Sequence, residues 1–598
     1  MAEPIQVDFA GKGRRQAPRK PAVIPPERAG LKVILSIIGS VLTAIIGYYV
    51  MLPPLNLRAQ EFYLYLGMVA GSFILFLFLL SRASSQPEYT PYVKQKSLIP
   101  GIIIAVIVAF YAVAWVISSP FFQAKRYSEL MPVKLDANFS QDVPEADFAR
   151  IPRLDENAAK AVAKRTLGAL ADYVSQFTIA ESSTLINYGS KPVRVVPLAY
   201  ADLVKWLVNT RDGLPGYVIV DMANEQSRFV KLPERIRYSD QEHFGKLLKR
   251  HLRFQFPTYM FGVPTFQIKE NEAGNDYGHP YWVAPRMDKR IGLLGGEDVI
   301  GIVLVDAVTG VCEEWSVEDL RTNPDLQWID RVFNAQLLNT QYDYYGKYIN
   351  GFWNSLLGQR DVKVTTADYN YLAQNDDVYM YTGVTSANTA DDNSIIGFIL
   401  VNQRTKDAVF YQMEGAKESS AQGVAEGLVS AYKWKATFPL LINVSSQPTY
   451  FLSLLDDSNV IQGYSMVNVD QYNKIKVWGD TLAKCTNNYL QALRENGIDV
   501  ENIITPPPGT EEGPDITTPP VDGPGTVTGA VADIQSEVIN GNTVYYIQLA
   551  GSELYYSITA AQAPGLVLLT KGQTVTIDFT AGPGNIQQAG AVVWKQAR

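Results

Sequence analysis

One phrase occurs four times in this chain: glycine, then an aromatic residue or isoleucine, any residue, an aliphatic residue or methionine, valine, and finally Asp or Asn. The copies are Gly216-Tyr217-Val218-Ile219-Val220-Asp221, Gly301-Ile302-Val303-Leu304-Val305-Asp306, Gly397-Phe398-Ile399-Leu400-Val401-Asn402 and Gly463-Tyr464-Ser465-Met466-Val467-Asn468. A mostly apolar run that ends in a turn-forming residue specifies a strand at the start of a hairpin. Recurrence makes the middle of the chain a tandem array of one structural unit. With the flanking helical and strand patterns, the array reads as helix, strand, strand, strand, an α+β arrangement with units near 157–235, 240–325, 330–415 and 416–500. The closing Asp or Asn offers a side-chain oxygen to a backbone N–H two residues on, so these positions read as turn formers and not as catalytic carboxylates.

The run Ile302-Val303-Leu304-Val305-Asp306-Ala307-Val308-Thr309-Gly310-Val311 resembles the hairpin of PepSY-type modules, in which a helix precedes the sheet and a strand ends in an Asp-Ala-x-Thr-Gly turn. The resemblance covers roughly residues 240–320 and is degenerate in the other three copies. It implies cystatin-like α+β modules that bind or regulate proteins outside the bacterial cytoplasmic membrane, and it brings no catalytic residue.

A length of 598 residues exceeds what one hydrophobic core supports. A hydrophobic share of 47% marks a mostly globular chain, and a formal net charge of −8 argues against a nucleic-acid binder. Positive charge is instead local, in a basic tail over residues 1–30 that carries Lys12, Arg14, Arg15, Arg19, Lys20 and Arg28. Within residues 31–119, three apolar runs follow, Leu31 to Leu52, Phe62 to Ser81 and Leu98 to Ser118, each near the ~20 residues needed to cross a ~30 Å hydrocarbon layer. Tyr48, Tyr49, Phe62, Tyr63, Tyr65 and Trp115 sit at their ends, where an interfacial aromatic belt belongs. The tail and the loop with Arg82, Lys94 and Lys96 outweigh the single Arg58 of the other loop, which puts the N-terminus in the cytoplasm and everything beyond about residue 119 outside the plasma membrane.

A connector over 120–156 leads into the repeats. After them, the Pro-rich stretch 505–525 reads as a semi-extended linker. Residues 526–598 hold alternating strands, including Val567 to Leu569, with an Asn540-Gly541 hairpin turn. Five or so short strands predict a small closed barrel resembling an OB-fold.

Candidate sites are few. Tyr342, Tyr344, Tyr345, Tyr348, Phe352 and Trp353 form an aromatic run that reads as a binding platform for a peptide or glycan, or as packing between units. Gly67 and Gly71 are spaced for close helix packing in the second span. The two cysteines, Cys312 and Cys485, allow one disulfide in an oxidising compartment or stand as two buried thiols. His243 and His251 read as exposed members of a basic helix with Lys246, Lys249, Arg250 and Arg253, and His279 as part of a turn. No serine elbow, phosphate loop, metal cluster or Cys–His signature marks an enzyme, so no catalytic residue, metal or cofactor is expected. The chain therefore reads as an anchored extracytoplasmic scaffold or binding protein of the bacterial envelope, with the bilayer and a protein or wall glycan as partners, as a homo- or hetero-oligomer. The alternatives are an accessory subunit of a transport or secretion complex and a cryptic envelope hydrolase.

Overall fold

The computed structural model describes residues 23–500 except 136, 271–277, 367, 375–376 and 388–393, and residues 525–594 except 540–541, 551, 553, 560–562, 564–565, 567–568, 570, 572 and 581–585. The basic tail up to residue 22, nearly all of the Pro-rich linker, the Asn540-Gly541 turn and most of the strand expected at Val567 to Leu569 lie outside the described residues. The chain divides into two compact units, Met1–Asn502 and Ile503–Arg598.

Among the described residues, three helices are long and apolar enough to cross a membrane: α1 (Ala29–Met51), α2 (Gln60–Leu80) and α3 (Leu98–Ile117). Their lipid-type surface follows from sequence, since no face carries enough polar residues to be turned toward water. α1 packs on α2, and α2 on α3. The close helix approach is not at the glycines singled out by spacing. A Cβ at Gly67 or Gly71 would meet nothing within 4 Å, whereas one at Gly39 would collide with the Phe76 ring and one at Gly47 with Met68. The small side is on α1, and large residues of α2 fill it.

Beyond α3 come α4 (Pro120–Ser128), α5 (Glu156–Gly168), α6 (Leu203–Asn209), α7 (Leu248–Gln255), α8 (Ala335–Tyr348), α9 (Glu418–Leu428) and α10 (Leu482–Glu495). Among the described residues of this unit are four sheets, and each contains one copy of the repeated phrase. In the second sheet a long strand, His279–Ile291, pairs on one side with two short pieces, Met260–Phe261 and Thr265–Lys269. Its other side pairs with the phrase strand Gly295–Asp306, which in turn pairs with Cys312–Ser316. The other sheets repeat this order around Lys191–Tyr200, Asp377–Ser386 and Gln447–Leu455. Each unit thus has one strand more than its periodicity indicates. The extra strand is broken into pieces of two to five residues, such as Lys363–Thr365 and Asn370–Gln374, too short for alternation to register.

The phrase has a geometric reason at each position. Its glycine sits beside or opposite a register shift, and there the neighbouring strand presses so close that a Cβ would overlap a carbonyl oxygen, that of Val230, Trp315, Tyr411 or Gly479 in the four copies. Its closing residue caps the hairpin as expected. Asp221 Oδ1 accepts from the N–H groups of Ala223 and Asn224, both at 2.9 Å. Asp306 Oδ1 accepts from Val308 at 2.8 Å and Thr309 at 3.0 Å. Asn402 does the same for Arg404 and Thr405, and Asn468 for Gln471. Its run of aliphatic residues lacks polar alternation because the second sheet is covered on both faces. Val303 and Val305 join a core shared with the first unit, while Ile302 and Leu304 join one shared with the third.

The second compact unit holds a closed barrel of five strands: Gly525–Ile539, Asn542–Leu549, Tyr555–Thr559, Thr574–Thr580 and Ile586–Trp594. Strand three closes against strand five in parallel, and every other pair is antiparallel. Val531, Ile547, Tyr556, Ile558, Val575 and Ile577 fill it.

The glycine argument separates two kinds of position. Gly397→Ala forces apart two paired strands and is expected to cost about 1–3 kcal/mol. Gly67→Ala enters open space and should leave stability unchanged. Thermal unfolding of the detergent-solubilised protein compares them, and equal midpoints for both variants would remove the close-approach explanation.

Candidate functional site

The second repeat unit, near 240–325, stands directly on the ends of the membrane helices, and a buried arginine holds it there. The basic segment expected as one helix over His243 to Phe254 is split: Phe244 has a φ of 51°, Leu247 is non-helical, and α7 begins only at Leu248. Arg253, expected to be exposed, is 5% accessible. Its Nε donates to the carbonyl of Leu52 at 3.0 Å, the residue capping the end of α1, and its Nη1 donates to Phe256 and Pro257, each at 3.3 Å, and to Tyr259. Placing a cation at the carbonyl end of a helix satisfies orphan acceptors and opposes the negative end of the helix dipole. Burial lowers the pKa of this guanidinium without threatening its charge. Arg250 adds a second contact, its guanidinium 4.1 Å from the centre of the Tyr49 ring.

A hairpin tip completes the mooring. Ser118, just past α3, accepts from the N–H groups of Leu293 and Leu294, both at 3.1 Å. Tyr127 in α4 donates to the Ser118 carbonyl at 2.8 Å. A Cβ at Gly292 or Gly295 would strike Ser118 or Tyr127, so the tip needs glycine to reach the helix end. Arg58 of the α1–α2 loop pairs with Asp288 of the same hairpin at 2.5 Å. Sequence spacing gives no sign of the contacts from Ser118 and Arg58 to the hairpin, whose partners lie 175 to 230 residues away along the chain.

The aromatic run does not form a single platform. Tyr342 is buried in the core shared by the second and third units, with Tyr345 packed against it. Tyr344, Tyr348 and Phe352 stack in a ladder with centroid spacings of 6.1 and 6.4 Å, and α4 leans on it through Tyr127 and Phe121. Trp353 ends the run, largely exposed. Beneath this ladder a cleft of about 560 Å³ opens between α3, the hairpin and α8, lined by Trp115, Ser118, Tyr127, Met287, Leu294 and Tyr344 among others. Its walls are mainly apolar, with the Lys289–Glu297 pair at one side. A second cavity of about 380 Å³ lies where the first, third and fourth units meet. There the buried Arg194 is matched by Glu156 at 3.3 Å and by Ser183 at 3.0 Å, and Arg153, Tyr369 and Tyr371 complete the wall.

The expected choice between a disulfide and two thiols resolves to two free thiols: Cys312 on the last strand of the second sheet, and Cys485 buried in α10 beyond the fourth. The structure does bring a histidine to Cys312, which sequence spacing did not suggest. His251 Nε2 lies 3.6 Å from its sulfur and 2.8 Å from the carbonyl of Gly310. A carbonyl only accepts, so Nε2 carries a proton and cannot take one from the thiol. Burial, with repulsion from Glu314, pushes the thiol up to about 11, and the pair lacks the activated thiolate a nucleophile requires. His279 lies 3.1 Å from Asp306. Burial alone would raise Asp306, but hydrogen bonds from His279, Thr309 and Val308 bring it down to about 2, as a permanently ionised turn former. Among the described residues no group of three His, Cys, Asp or Glu is arranged to hold a metal ion.

No protein-family model matches the chain. No curated protein matches it either. The functional reading therefore rests on the geometry itself.

One buried acid lies at the meeting of three units. Asp330 is 1% exposed; its carboxylate oxygen accepts from Asn187 N–H of the first unit at 2.6 Å, and its own N–H donates to Gln267 of the second at 2.9 Å. Burial and the nearby Asp377 push its carboxyl up to about 8 despite Asn187 N–H, Arg404 and Arg331. An unfolded Asp titrates near ~4, so between ~4 and ~8 the folded chain holds a proton that the unfolded chain lacks. The contribution is full below the lower value and fades as pH rises through about 8. The melting temperature should fall over that window, and Asp330→Asn should flatten the slope; an unchanged slope would place the titration elsewhere. Iodoacetamide at neutral pH should modify Cys312 and Cys485 far more slowly in the folded protein than after denaturation. Fast labelling of Cys312 would revive a nucleophilic role.

Proposed function

We propose that the chain is a membrane-anchored scaffold or binding protein of the bacterial cell envelope, with its N-terminus in the cytoplasm and its repeats outside. The observation that carries this reading is the mooring: Arg253, Arg58–Asp288 and Ser118 fix the repeats on the membrane helices at three separate places. A tether needs only a flexible segment, whereas a rigid stand sets the height and direction of whatever the repeats hold. The Lys and Arg distribution supports the orientation, because Arg82, Lys94 and Lys96 lie at the helix ends opposite the folded region. The PepSY-like reading is supported by a helix preceding the antiparallel strands of each repeat unit and by the Asp306 turn. The OB-like reading of the barrel is supported by its strand order, with the third and fifth strands parallel. A barrel of that kind, carried beyond a Pro-rich stretch, suits a protein or wall glycan as ligand.

A second reading, an accessory subunit of a transport or secretion complex, is favoured by one feature. Among the described residues nothing lies within 4 Å of a Cβ built at Gly67 or Gly71 of α2, which leaves room for close approach by a helix of a partner.

Crosslinking in intact cells followed by mass spectrometry distinguishes the two. Links concentrated beyond residue 525 and on the repeats, toward wall-associated proteins, are the expected result. Links concentrated on residues 29–117, to one multi-span protein, would replace the scaffold with the subunit. The mooring itself is tested by Arg253→Met, which strands buried carbonyls and is expected to cost about 2–3 kcal/mol. That variant should expose the α1–α2 loop to limited proteolysis; protection equal to the parent protein would mean that Arg253 is not the lock.

A further inference from the structure

Two exposed apolar surfaces of the folded region connect by contacts to the ends of the membrane helices. The first is on α6, whose Leu203, Val204, Leu207 and Val208 are between 60% and 71% exposed while Trp206 turns inward. Trp206 lies 5.8 Å from the ring of Phe244, itself exposed, and the Phe244 carbonyl accepts from Arg250 at 2.8 Å. Arg250 rests on Tyr49 at the end of α1, so the patch is joined to the membrane helices through a short chain of contacts. The second surface is the turn after α8, where Trp353 is 61% exposed and Leu357 75%, with Ile349 and Leu356 beside them. Trp353 lies 5.9 Å from Phe121, which follows the end of α3 by four residues. That surface therefore continues the lipid-type face of α3 without a break, through Ile117, Phe121 and Phe122, all about half exposed.

We propose that both surfaces are feet that sink into the membrane leaflet where α1 and α3 end. The leaflet is the occupant because the second patch is continuous with the spanning helix and the first is joined to α1 by Arg250. Isolated apolar residues on a soluble surface need no cover, but four on one seven-residue helix, and a Trp with leucines at a helix exit, form the pattern of interfacial anchors. Lys249 and Arg250, close in sequence to Phe244, add cations suited to lipid phosphates. So do Arg126 and Lys125, close in sequence to Phe121, with Lys125 also pairing with Glu129 at 3.9 Å. With one foot beside the end of α1 and the other beside the end of α3, the leaflet adds two contacts to the mooring of the repeats. The inference concerns the membrane contact alone and goes beyond the question of what the repeats bind.

The test uses the full chain in nanodiscs of phosphatidylcholine and phosphatidylglycerol, with Cys312 and Cys485 replaced by Ser and one cysteine introduced for an environment-sensitive fluorophore. The positions are Leu207→Cys, Leu357→Cys and, as a control on the fourth unit, Asn459→Cys. Nitroxide lipids labelled near the headgroup end of the chain should cause a loss of fluorescence at the first two positions and not at the third, and iodide in the buffer should give the opposite order. A foot whose label responds to iodide like the control, with no loss from nitroxide lipid, is in water, which overturns the proposal for that foot. A label shielded from both quenchers is covered by protein, a second copy in this preparation, and overturns it as well.

Discussion

The guanidinium of Arg253 carries the connection between two very different solvents. On one side is a helix bundle whose surface is apolar in every direction; on the other is a stack of sheets rich in buried strands. Lipid helices end with unpaired carbonyl groups, and a folded region that merely follows in sequence leaves them to water. Here a side chain two hundred residues away closes α1 and at the same time gathers the carbonyls that shape the turn after α7. With Arg58–Asp288 and Ser118, that charge holds the second repeat unit on the helix ends, and the first and third units pack on the two faces of its sheet.

The seams between units share one chemical habit. Besides Asp330, Glu418 at the start of α9 is 2% exposed and accepts from Gly383 N–H of the third sheet. Burial raises its pKa too, although Gly383 N–H and Thr366 oppose the rise. A buried carboxyl that must find named donors on a neighbour tolerates fewer relative positions than an apolar face does. Nearly identical aliphatic surfaces would otherwise stack in more than one register, and these acids mark which face meets which.

Much of the fold is legible in the sequence, for reasons that can be named. The three spans declare themselves by length and missing charge, and their ends fall close to the observed ones. The phrase declares the repeats because its Gly, its aliphatic run and its Asp or Asn each answer a local demand: a close strand, burial on both faces and a tight turn. What escapes is set at long range. Whether Gly71 or Gly39 meets a neighbour depends on which way two helices rotate: a Cβ at Gly39 strikes Phe76, and one at Gly71 meets open space. Tyr342 and Trp353 belong to one aromatic run, yet one is core and the other surface, because α8 ends between them. Arg253 is indistinguishable from Arg250 by composition, and only the meeting with Leu52 separates them. The exposed face of α6 was legible in principle, since Leu203, Val204, Leu207 and Val208 fall on one side of a helix.

The third sheet has a strand that the other three lack. Val133–Lys134, from the connector just past α4, pairs in parallel with Ala408–Ala416. Glu145 similarly bridges to Asn443 of the fourth unit. During synthesis these connector residues emerge long before their partners exist, and the first two units can close while the connector waits unpaired. The Val133–Lys134 strand thus gains its partner only when the third sheet, nearly three hundred residues on, has been made. It covers the start of the Ala408–Ala416 edge, at Ala408 and Val409, where an unpaired strand would otherwise be offered to a neighbouring copy.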